Sequence, residues 1–206
     1  MSRPVLACLD LEGVLTPEIW INVAKKTGIS ELSLTTRDIA DYNELMTRRL
    51  GILDQHRLRL PDIQAVIATM APLDGADKFL DWLRARCQVI ILSDTFYEFA
   101  QPLLKQLDSP TLFCNTLEVD GGGQIRNYHL RQPDQKRQSV IALRQLQFQV
   151  VAAGDSYNDT SMLLEADAGI FFRPPDSIIK EFPQFPVTRS YPELKEQFCR
   201  LAGLRP

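Results

Sequence analysis

The stretch LACLDLEGV, residues 6–14, runs apolar for four residues and then breaks into two carboxylates and a glycine. Two further strings end the same way, VIILSDT at 89–95 and VVAAGDSYND at 150–159. Continuous apolar runs, rich in β-branched residues in these last two, read as strands buried on both faces of a parallel sheet. In open α/β sheets, ligands bind beyond the carboxyl ends of such strands. Asp10, Glu12, Ser93, Asp155 and Asp159 are therefore expected to meet at one edge, although they are far apart in the chain. Carboxylates beside hydroxyls suit a hard cation and an oxyanion, which points to magnesium and phosphate.

The composition removes several other chemistries. The chain has 206 residues, 45% hydrophobic and 24% charged, enough for one globular domain with an inserted subdomain. Its net charge of −3 and the lack of a basic run give no nucleic-acid footprint. No apolar stretch reaches the length of a membrane span and the N-terminus carries no signal-peptide pattern, so no membrane partner and a cytoplasmic location are expected. The four cysteines (Cys8, Cys87, Cys114 and Cys199) form no CxxC pair and no zinc spacing. Cys199 and Arg205 match a C-x5-R spacing but follow no strand and no glycine-rich cradle. The two histidines, His56 and His129, adjoin no strand end, and neither a GxSxG elbow nor a GxxxxGK[ST] loop occurs. Carboxylate chemistry remains.

Residues 4–10 are expected to form the first strand, with Thr16-Pro17 opening a helix as N-cap and first turn. From about 17 to 71 no buried strand is evident. Trp20, Val23 and Ala24 keep helical spacing behind that helix start, as do Tyr42, Leu45, Met46, Arg49, Leu50 and Leu53, and Ile63, Val66, Ile67 and Met70. Some 55 residues exceed an ordinary one-helix crossover, so 16–71 reads as a helical cap inserted into a core of 1–15 and 72–206. Beyond Pro72 helix and strand alternate. Helices are predicted over 75–86, 97–107, 134–146, 159–166 and near 191–202. Strands are predicted over 88–93, up to Gly154 and at 169–172. A β-hairpin at 111–131 turns at Asp120-Gly121-Gly122-Gly123. The fold class is α/β, a parallel sheet flanked by helices with a cap and a hairpin.

At the strand ends, Asp10 and Glu12 are spaced to divide labour, one attacking phosphorus and the other moving a proton. Ser93-Asp94-Thr95 offers hydroxyls and backbone N–H groups to a phosphoryl oxygen, and reads equally as an N-cap sequence. Asp155 and Asp159 suit a magnesium site, and Asp159 reads equally as a helix N-terminal acid. Phosphoryl transfer also needs a cation against the equatorial oxygens; Lys136 and its neighbour Arg137 both qualify.

Taken together, the first-strand DxE, the second-strand serine, a lysine and the GDxxxD string resemble the haloacid dehalogenase superfamily of aspartate-nucleophile phosphatases. The order is right and the resemblance spans the whole chain. The insertion after the first strand is similar to the helical cap of the phosphoserine phosphatase branch. DLEGV, PEIW, LSDTFYEF, KRQSVIA and AAGDSYNDT resemble more closely a bacterial group within it that also transfers phosphate from phosphoserine to homoserine. Glu12 departs from the aspartate usual in the superfamily, adding one methylene to the acid/base arm. The resemblance implies Asp10 as nucleophile and Glu12 as general acid/base. It implies magnesium on the Asp10 and Asp155 carboxylates and the Glu12 carbonyl, with Asp159 acting through water. Ser93, Asp94 and Lys136 would hold phosphate, Glu18 the α-amino group, Arg49 the α-carboxylate, and Asn158 the phosphate or substrate. Arg48, beside Arg49, stays open as an alternative. So do another small phosphometabolite as substrate, a non-catalytic magnesium- or phosphate-binding module, and a homodimer, since a half-buried cap and a dimer face share one pattern.

Overall fold

The computed structural model describes residues 3–35, 38, 39 and 41–205; positions 1, 2, 36, 37, 40 and 206 lie outside the described residues. Five parallel strands form the first part of the sheet to consider: β1 (Val5–Leu9), β2 (Gln88–Phe96), β3 (Leu112–Val119), β5 (Gln149–Gly154) and β6 (Ala168–Phe172). An antiparallel strand, β4 (Ile125–His129), and a short parallel one, β7 (Val187–Thr188), close its two edges, giving the order β4-β3-β2-β1-β5-β6-β7. From β1 the chain builds outward on one side as far as the hairpin, then crosses to β5 on the other. The topological switch therefore lies between β1 and β5, where such sheets bind ligands.

Side chains alternate across β1. Ala7 and Leu9 join one buried layer and Leu6 and Cys8 the opposite one, so both faces of the strand are covered and the apolar run has no polar face. The first layer is completed by α4 (Ala76–Arg84) and α9 (Tyr191–Ala202), the second by α6 (Gln135–Gln145) and α7 (Thr160–Glu165). The insertion carries α1 (Ile19–Thr27), a single 3₁₀ turn at Ser30–Ser33, α2 (Tyr42–Gln55) and α3 (Leu60–Ile67). Their apolar faces form a third cluster, seated on Phe99 and Leu103 of α5 (Tyr97–Gln106) and on Leu117 and Ile125 of the hairpin.

Three expectations need correction. The first helix begins at Ile19, not at Thr16-Pro17. Thr16 is tied back by its N–H to the Leu11 carbonyl and pairs with Glu12, and the Glu12 carboxylate instead accepts the Ile19 N–H at 2.8 Å. Strand β2 runs on to Phe96, three residues beyond the predicted end, with its register against β3 shifting between Leu92 and Phe96. Phe96, and not Ser93-Asp94-Thr95, occupies the N-cap of α5. The proline-spaced tail holds α8 (Asp176–Glu181) and β7, which period-based reading missed because each is too short to show a period.

Candidate active site

Register brings the acids together. Leu9 lies opposite Ile91 on one side and Ala153 on the other, and the Asp10 N–H continues the ladder to the Ala153 carbonyl at 3.0 Å. Asp10, Ser93 and Asp155 consequently leave the sheet at the same edge. Two glycines make the close approach possible. Gly13 has φ +81°, and a β-carbon there would lie 2.4 Å from the Asp155 carboxyl carbon. A β-carbon on Gly154 would lie 2.4 Å from that of Asp159. Any larger residue at either position would push an acid out of the cluster.

Lys136, at the first turn of α6, sits in the middle. Its ammonium is 2.7 Å from Asp159, 3.0 Å from Asp10 and 3.4 Å from Asp94, and its side chain is only 3% exposed. Burial works against that charge, yet the three carboxylates outweigh it and hold Lys136 well above its ordinary range. Arg137, its rival in the sequence, points outward and pairs with Glu165 at 3.1 Å. Asp10 Oδ1 also accepts the Leu11 N–H at 2.8 Å, which fixes the carboxylate in rotation. Asp159 is fully buried. One oxygen takes Lys136, and the other accepts the N–H groups of Asp155 and Ser156 at 2.9 and 3.1 Å, so it also holds the loop in shape.

Three carboxylates therefore surround one ammonium, with Asp155 beside Asp10 and Asp159. Burial, and then the charges of Asp159 and Asp155, push Asp10 well above the usual carboxylate range despite Lys136. Oxygens of Asp10, Asp155 and Asp159 lie within 4.8 Å of one another. Hard, over-negative and buried except for half-buried Asp155, this donor set fits a divalent cation such as magnesium, whose charge would restore Asp10 to its ionised form.

A cavity of about 230 Å³ opens beside this cluster, lined by every sequence-predicted site residue except Asp159. Its far wall belongs to the insertion. Burial, then the neighbouring Glu18 charge and the hydrogen bond that protonated Glu12 donates to Glu18, raise Glu12 to about 8, against the opposing Ile19 N–H. Arg49 is buried at 6% exposure, whereas Arg48 is exposed and absent from the cavity wall. The Arg49 guanidinium lies 4.5 Å from the Trp20 ring centre and donates through Nη2 to the Leu34 carbonyl at 2.8 Å. Among the described residues its Nε–H has no partner although it is buried, and burial lowers its pKa to about 10. Asn158 is exposed and reaches Asp94 at 3.2 Å.

Trp20 and Tyr42 were read from the sequence as helix-face residues and prove also to line the cavity. Gln135 and Asn115 were not singled out. Both are buried amides that hold the Ser93-Asp94 segment, through bonds to the Ser93 carbonyl (2.6 Å) and the Asp94 carbonyl (3.0 Å) respectively. Nothing in their local sequence marks them.

A seven-stranded sheet with an acidic cluster past β1 and β5, facing an inserted helical wall, defines a hydrolase architecture, and residues 6–167 match the haloacid dehalogenase-like hydrolases. The chain belongs to that family. It is 62% identical to phosphoserine phosphatase ThrH of Pseudomonas aeruginosa, over 96% of this chain and 97% of that one. Identity is 61% to a phosphoserine phosphatase of Pseudomonas syringae pv. tomato, over 96% and 84%. In fold it resembles a crystal structure of phosphoserine phosphatase in apo form, with a TM-score of 0.76 at 20% identity, covering 95% of this chain and 98% of the other.

Proposed function

We propose that this enzyme hydrolyses O-phospho-L-serine through an aspartyl-phosphate on Asp10, and can pass the phosphoryl group to L-homoserine in place of water. The observation that carries the reading is the pairing of a rotationally fixed, buried Asp10 with Lys136 at 3.0 Å, beside an acid held protonated near neutrality. The two relatives named phosphoserine phosphatase, at 62% and 61% identity, support the substrate.

In this reading α1–α3, residues 16–71, form a cap over the sheet edge. Arg49 receives the α-carboxylate through its unpartnered Nε and the second Nη2 hydrogen, a side-on fork matched to two oxygens. Glu18 receives the α-ammonium group. Lys136, the Ser93 hydroxyl, Asp94 and Asn158 set the phosphate. Asp10, Asp155 and the Glu12 carbonyl, with Asp159 behind them, would hold magnesium, which would supply charge neutralisation for the phosphoryl oxygens. The Asp10 carboxylate attacks phosphorus, the P–O bond to serine breaks, and Glu12 gives its proton to the departing serine oxygen. Glu12, now ionised, takes a proton from the incoming water or alcohol, which attacks phosphorus and releases Asp10.

Product analysis by phosphorus NMR tests this, using magnesium and phosphoserine with and without homoserine. O-phosphohomoserine would establish the transferase branch, and inorganic phosphate alone would leave a phosphatase. No turnover of phosphoserine, with turnover of another phosphomonoester, would replace the substrate with a different small phosphometabolite. The two relatives named phosphoserine phosphatase also support a place in amino-acid metabolism. Among the described residues no helix is long and apolar enough to cross a membrane.

A further inference from the structure

Residue 94 is held by five groups from different parts of the fold. Its carboxylate meets the Lys136 ammonium at 3.4 Å and the amides of Gln135 and Asn158 at 3.2 Å each. Its carbonyl oxygen accepts from the Asn115 amide at 3.0 Å and the Tyr42 hydroxyl at 3.2 Å. Gln135, like Asn115, is buried and does not line the cavity beside Asp10, but alone of the five it reaches both Ser93 and Asp94. Its Nε2 bridges two consecutive residues, donating to the Ser93 carbonyl at 2.6 Å and to the Asp94 carboxylate at 3.2 Å.

The orientation of that amide is dictated from behind. Gln135 Oε1 faces the Arg131 Nε–H at 3.4 Å, and an arginine can only donate. Arg131 is itself fixed, stacked 4.8 Å from the Phe113 ring centre and donating to Ser139 Oγ at 2.7 Å. Ser139 in turn donates to the Gln135 carbonyl at 2.7 Å. The oxygen of the amide must therefore face Arg131, and its N–H₂ must face Ser93 and Asp94. A buried donor aimed so narrowly is costly to maintain unless both acceptors stay in place.

Such a clamp has a clear use beside a phosphate site. Asp94 is a carboxylate next to the place where a phosphoryl dianion would sit. Turned into the cavity it would repel that charge; turned against Lys136 it draws the ammonium into line with Asp10. The geometry points to Gln135 as a positioning residue that locks the Ser93-Asp94 segment, keeping the Asp94 carboxylate on Lys136 and the Ser93 side chain toward the phosphoryl oxygens. This deepens the proposed function and rests on its phosphate site, though not on phosphoserine as the substrate.

A double-mutant cycle tests it, with Gln135→Met, Asp94→Asn and the pair. Methionine keeps the length of the side chain and removes both hydrogen bonds; Gln135→Ala serves as a second variant should methionine pack badly. The readouts are the affinity for inorganic phosphate in magnesium buffer by calorimetry, and kcat and KM for phosphoserine and for an aryl phosphate. Gln135→Met should weaken phosphate about tenfold in the native background and less than about threefold with Asn at 94, since contacting groups couple on this scale. Equal losses in both backgrounds, or native phosphate affinity in Gln135→Met and Gln135→Ala, would overturn the assignment. No turnover of phosphoserine by the native enzyme, with the phosphate cycle still coupled, would instead remove the substrate reading and leave Gln135 in its role.

Discussion

The two ends of the cavity are built differently. The phosphoryl end stands on strand ends whose spacing follows from sheet register, and its charges are bound to one another, with Lys136 in contact with three carboxylates. The insertion end stands on helices, and its charges are less fully matched: Glu18 faces Glu12 of the strand end, and among the described residues Arg49 has a buried N–H left over. A rigid, over-negative end suits chemistry common to all phosphomonoesters. An end with unsatisfied donors and acceptors waits for a ligand that completes it. The contrast separates catalysis from selection, and substitutions at the two ends should fall into two kinetic classes.

The largest effect belongs to the phosphoryl end. Asp10→Asn should lower turnover of every phosphomonoester on the order of 10³-fold or more, because no other carboxylate is placed to attack. It should not lower the metal-free melting temperature, since it replaces a buried carboxyl whose ionisation burial and the Asp159 and Asp155 charges oppose. Phosphate release near the native rate would refute the nucleophile. Glu12→Gln comes next, at roughly 10²–10⁴-fold on phosphoserine, the usual scale for a general acid. The proton resides on Glu12 below about pH 8 and is lost above it. Single-turnover cleavage of phosphoserine should accordingly decline as pH rises through about 8. An aryl phosphate, whose leaving group departs without a proton, should show no such limb. A limb of equal size on both substrates would move it to the phosphoryl end and blur the division.

How much of this was legible beforehand follows the same line. The acids at 10, 155 and 159 could be placed together because three apolar runs announce three parallel strands, and parallel strands share an edge. Glu12 was legible as a carboxylate but not as the group that meets the first N–H of α1, since that bond depends on the chain doubling back at Gly13. The helix start was misread for the same reason: Thr16 looks like a cap locally and is claimed by a tertiary pairing with Glu12. Gln135 and Asn115 were invisible because an amide reveals its role only through what folds against it. On the insertion side Trp20 kept a helical period and so passed for core, which it is on one face, meeting Phe99 edge-on at 5.4 Å.

At the insertion end, Arg49→Ala should raise KM for phosphoserine roughly 10- to 100-fold, the worth of hydrogen bonds to a charged group, and leave the KM of an aryl phosphate within about threefold. Trp20 offers the finer cut. Its ring flanks the guanidinium at 4.5 Å, while the Leu34 carbonyl holds Nη2. The plane of the fork is thereby set before any ligand arrives. Replacing Trp20 with Leu removes the ring and keeps an apolar side chain, so the guanidinium stays charged but is free to tilt. A cation–π contact of about 0.5–2 kcal/mol corresponds to roughly a 2- to 30-fold rise in KM for phosphoserine. Trp20→Phe, which keeps a ring in place, should fall between Leu and the native residue. If Trp20→Leu instead slows phosphoserine and the aryl phosphate equally, Trp20 supports the cavity as a whole, and the two ends are less independent than their construction implies.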